Sequence, residues 1–94
     1  MRVLWTTPAR EQFVSAYEYL DDENRAAAAR TVDKNWKNTE LLGRHPMAGR
    51  EGRVAGTREL VVRGTPFIVA YQVVRNEVRI LALMHAARKW PDEF

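Results

Sequence analysis

The chain has no cysteine among its 94 residues, so neither a disulfide nor a thiolate metal site can brace it, and its stability must come from packing. A reducing cytosol suits such a chain, and a cytoplasmic location is the expectation. Long apolar runs are missing too. Near the N-terminus only Val3-Leu4-Trp5 precedes polar residues, far too few for a membrane span or a signal-peptide core. Glycine and proline are scarce, at five and four residues. No Gly-rich phosphate loop, metal-ligand cluster or Ser-His-Asp arrangement is present, so no cofactor and no metal are expected.

What remains is an ordinary globular composition, 46% hydrophobic and 29% charged, which argues against disorder. The length suits one domain, residues 1–94. The net charge of +3 is unevenly placed. Residues 1–42 carry six basic and seven acidic side chains, whereas residues 43–94 carry nine and five, with arginine far ahead of lysine. Arginine's planar fork pairs with carboxylates and phosphates alike, so an acidic protein segment and a nucleic acid are both credible partners of the second half.

The pattern along the chain predicts an α+β fold of order β-α-α-β-β-β. Arg2 to Trp5 is β-prone, and Thr7 can cap a helix with Pro8 at its first position. Phe13, Ala16, Tyr17 and Leu20 share one stripe of that helix. The acidic run Asp21-Asp22-Glu23-Asn24 offers N-caps and negative charge to a second helix running to Leu42, with Gly43 as its stop. Ala29, Val32 and Trp36 are expected on its buried face, and Trp5 in or near the core. Residues 44–57 hold Pro46 and three glycines and read as a long loop. Three strands follow, Arg58 to Arg63, Phe67 to Val74 and Val78 to Met84, the last two joined by a tight Arg75-Asn76 turn. The helical hairpin should therefore pack on an antiparallel-rich sheet of four strands.

Pro46-x-x-Gly49-Arg50, Val54-x-Gly56-x-Arg58-Glu59-Leu60-Val61, a central strand with Tyr71, and His85-x-x-Arg88-x-Trp90-Pro91 together resemble the RelE/ParE superfamily of bacterial toxins, in particular its ParE-like branch. The resemblance spans nearly the whole chain. It implies a toxin of a type II toxin-antitoxin module, neutralised by a cognate antitoxin. ParE-like members are associated with DNA gyrase, whereas RelE-like members cleave messenger RNA on the ribosome. In the RelE-like branch the resemblance sets lysines where this chain has Glu59 and Val61, an arginine at Ile68 and a tyrosine at Phe94; only Arg88 matches. Valine carries no charge and phenylalanine no exchangeable proton, so an RNA-cutting site would be largely dismantled.

A protein binder is therefore the leading expectation. The alternative is a ribosome-dependent endoribonuclease in which His85, Arg88, Glu59 and Arg63 converge on one face, and a further one is a non-toxic co-regulator that binds the antitoxin. Arg58, Arg63, Arg79, His85, Arg88, Lys89 and Trp90 are the expected contacts to target or antitoxin. For Trp90 a folded-back tail is the competing reading, for Arg58 a structural ion pair, and for His85 a strand-terminating hydrogen bond to the backbone.

Overall fold

A computed structural model describes residues 1–87 and 89–94, with side chains described for all of these except 19–23. Along the chain, β1 (Arg2–Trp5) leads into α1 (Thr7–Glu23) and α2 (Arg25–Arg44), and β2 (Arg50–Glu51), β3 (Arg58–Val61), β4 (Phe67–Val74) and β5 (Glu77–His85) follow. The sheet has five strands in the order β1-β5-β4-β3-β2, one more than the sequence suggests, because Arg50 and Glu51 inside the long loop pair with Glu59 and Arg58. All pairings are antiparallel except β1 on β5.

The helix caps fall close to their expected places. Thr6, one residue before Thr7, caps α1: its Oγ1 accepts the Ala9 N–H and donates to Ile80 O at 2.9 Å, so the cap also fastens the helix to β5. Asn24 caps α2, accepting from Ala27 N–H at 3.1 Å. Gly43 lies within α2, and His45 terminates it through its N–H to Leu41 O.

The buried faces differ from the sequence stripes. On α1, Ala9 is fully buried and Phe13 and Ala16 pack against the core, while Tyr17 is exposed; Leu20 falls outside the described side chains. On α2 the buried residues are Ala28, Asn35, Thr39 and Leu42, and Trp36 is 51% exposed. Hydrophobicity favours turning Ala29, Val32 and Trp36 inward. The helix instead turns the Ala28, Asn35, Thr39 and Leu42 face inward, with the Thr39 hydroxyl satisfied by Trp36 O and the Asn35 Oδ1 buried without a hydrogen-bond partner.

The main core lies between helices and sheet and joins Leu42, Val62, Phe67, Val69, Tyr71, Val78 and Ile80. Trp5 packs against it, edge-on to Phe13 with ring centroids 5.3 Å apart. The opposite face of the sheet is covered as well, since Ile68, Ala70 and Ala82 are buried. Between β4 and β5 the register slips: Tyr71 pairs with Ile80 but Ala70 pairs with Ala82, leaving Leu81 as an extra residue. The β4–β5 turn places both Arg75 and Asn76 at positive φ, 51° and 63°, the geometry of a tight hairpin.

Tyr71 ties the loop after α2 to the core. Its ring is fully buried, and its hydroxyl accepts the Gly49 N–H at 2.8 Å and donates to Pro46 O at 2.8 Å. Gly49 is needed there, because a Cβ would sit 2.6 Å from that hydroxyl and 2.7 Å from Glu59 O. Tyr71→Phe, which strands both backbone groups, is expected to lower stability by about 1–3 kcal/mol with secondary structure unchanged, measured by urea denaturation.

Candidate interaction surface

The two faces of the sheet carry different chemistry. Glu59 pairs in register with Ala70, away from the helices, and its side chain is only 2% exposed. Both oxygens are occupied. Arg53 donates its backbone N–H at 2.8 Å and its Nε at 3.0 Å to Oε2, and Arg50 reaches Oε1 at 3.1 Å. Burial pushes the Glu59 carboxyl up, but the hydrogen bonds from Arg53 and then Arg50 outweigh it, and its pKa lies below the ordinary carboxylate value.

The Arg53 guanidinium carbon in turn lies 3.7 Å from the centroid of the Trp90 ring. Trp90 is partly buried, and its indole Nε1 is buried without a hydrogen-bond partner. The C-terminal segment is thus folded back onto this face through Glu59, Arg53 and Trp90 in sequence. Arg50 and Arg53 were not singled out from the sequence. No local signal marks their pairing, since Glu59 lies six residues beyond Arg53 and nine beyond Arg50.

The remaining candidates scatter around this cluster. Arg58 pairs in register with Tyr71 and donates to Gly49 O at 2.8 Å, so it bonds a backbone carbonyl and not an acidic side chain. Arg79, on the same face as Glu59, is bound to Glu77 at 2.8 Å. Arg63 and Lys89 are exposed. Arg88 lies outside the described residues.

His85 ends β5 opposite Phe67, on the helix-facing side of the sheet. Its Nδ1 accepts the Ala87 N–H at 3.1 Å, and its ring stands edge-on to Phe67 at 5.8 Å. It lines a groove of about 780 Å³ between α1 and the end of β5, with Phe67, Leu83 and Met84 giving apolar surface and Glu11, Gln12 and Lys89 polar surface. His85 and Glu59 therefore lie on opposite faces of the sheet. The convergence of His85, Glu59 and Arg63 on one face does not occur, because the extra residue in β5 reverses the sides to which the end of that strand points. Among the described residues, no three His, Asp or Glu side chains are grouped to hold a metal ion, and no helix is long and apolar enough to cross a membrane.

Comparison with known proteins fits this architecture. A family model described as the ParE toxin of the type II toxin-antitoxin system, parDE, matches residues 3–90. The chain belongs to the ParE toxin family. It is 37% identical over 91 residues to the protein named "Putative toxin Y4kP" of Sinorhizobium fredii, an alignment covering 97% of this chain and 94% of that one. Its fold is similar to that of a chain from the structure "Chromosomal ParDE TA system from P. aeruginosa", with a TM-score of 0.81, 24% identity, and coverage of 90% of this chain and 95% of the other. The expected ParE-like fold and the assignment to a toxin of a toxin-antitoxin system stand.

In this ParE-type chain the Glu59 clamp has a defined pH dependence. A carboxylate whose folded pKa is depressed contributes its full stabilisation above the unfolded pKa and loses it as pH falls through the folded value. Glu59→Gln is expected to cost about 1–3 kcal/mol at neutral pH, with the gap to the parent chain shrinking towards acid. Denaturant titrations at neutral and acid pH measure both.

Proposed function

We propose that this ParE-type toxin is neutralised by a cognate antitoxin and stops growth by binding a macromolecular target, DNA gyrase by analogy with its family, without cutting RNA. The observation that carries the reading is the division of ionisable groups between the two faces of the sheet. Transesterification at a 2'-hydroxyl asks for a base, an acid and cations around one phosphate. Here Glu59 is engaged by two arginines on one face, His85 accepts a backbone N–H on the other, and the Tyr71 hydroxyl is committed to Gly49 and Pro46.

What these side chains support is recognition. Exposed Arg63 and Lys89 suit acidic partners, and the groove beside His85 offers apolar surface to an antitoxin segment with carboxylates at its margins.

The test is expression in growing bacteria, followed by assays of the purified chain. Growth arrest with DNA breaks, inhibition of gyrase supercoiling, and rescue by the antitoxin are expected. His85→Gln is expected to stay as toxic as the parent chain. Cleavage of transcripts at defined codons in the presence of ribosomes, with gyrase unaffected and toxicity lost in His85→Gln, would overturn the reading.

A further inference from the structure

The hydrogen bonding of this chain stops short of its last residues. Beyond β5, the Ala86 N–H donates to Pro66 O at 2.8 Å and the Ala87 N–H to His85 Nδ1 at 3.1 Å. Residues 89–94 then add no hydrogen bond and no ion pair among the described residues, and Asp92 and Glu93 stand exposed side by side. Of these six, Trp90 alone is drawn in.

What Trp90 meets is the face of the Arg53 guanidinium, 3.7 Å from the ring centroid. The same guanidinium gives its edge to Glu59, through Nε at 3.0 Å and Nη2 at 3.3 Å. A planar fork can serve two partners in this way, and Glu59 keeps that edge, the Arg53 backbone N–H and Arg50 whether or not an indole covers the face. The Glu59 clamp does not need Trp90. Against the stacking contact stand two costs. The indole Nε1 is buried without a partner, a donor that water would satisfy once the ring moved out. Six residues, five of them exposed, are ordered around one ring. Arg53 is itself 45% exposed, so solvent weakens its attraction for the ring.

We propose that residues 89–94 form a strap, moored through Trp90, that lifts off Arg53 and reseats while the helices, the sheet and the Glu59 clamp stay closed. The docked and lifted states lie close in free energy because one solvent-weakened contact is set against a stranded donor and the ordering of a chain end. Lifting bares the guanidinium face of Arg53 on the side of the sheet that carries Glu59. Any group that engages this face competes with the chain's own indole for it.

Hydrogen exchange at the Trp90 indole, followed by NMR in the intact protein, tests the proposal. That proton is expected to exchange about tenfold or more slower than in free tryptophan, far faster than the amides of β4, and at a rate that dilute urea leaves unchanged. Arg53→Lys keeps a cation for Glu59, but an ammonium cannot give one partner an edge and the other a face. It is expected to speed indole exchange about tenfold and the β4 amides far less. Trp90→Ala, which leaves Glu59 its arginines, is expected to keep the β4 amides within about twofold of the parent rate. Indole exchange that keeps pace with the β4 amides, and so requires global unfolding, would overturn the proposal. So would exchange at the free-tryptophan rate, an indole indifferent to Arg53→Lys, or β4 amides that speed up about tenfold in either variant.

Discussion

A single buried carboxylate organises the half of this molecule that lies after the helices. Unpaired, Glu59 would be costly to bury. Paired with Arg50 and Arg53, it fastens the loop onto the sheet, and because Arg53 also lies against Trp90, it fastens the C-terminal segment as well. Tyr71 reinforces the same loop from the other face through Gly49 and Pro46. A segment rich in glycine is thereby given a fixed course, and its two-residue strand becomes possible.

The clamp also changes what the net charge means. Much of the positive excess of residues 43–94 is already engaged within the fold: Arg50 and Arg53 with Glu59, Arg79 with Glu77, Arg58 with a carbonyl. Exposed Arg44, Arg63, Arg75 and Lys89 lie outside these pairings, each at the end of an element or in a connection.

Element order, the helical hairpin and the β4–β5 turn were legible because periodicity and turn chemistry are local, and Asn76 announces its own φ. The inward face of α2 was not. It depends on how that helix packs against its neighbours, and Ala28, Asn35 and Thr39 prevailed over the more apolar Trp36. Arg53 was equally hidden, since its importance comes from a carboxylate and an indole that only the folded chain brings to it. For His85, the possibility of a backbone hydrogen bond was readable, but the face it occupies was not, because nothing in Val78 to Met84 marks where the register slips.

That slip at Leu81 has an evolutionary implication. Strands alternate with a period of two, so removing one residue there would carry His85 through the sheet to the side where Glu59 and Arg53 stand. A scaffold of this kind can move a titratable side chain between two environments by a single-codon deletion, without inventing a new side chain. Divergence of activity among proteins sharing the fold can thus follow from strand phase as readily as from substitution.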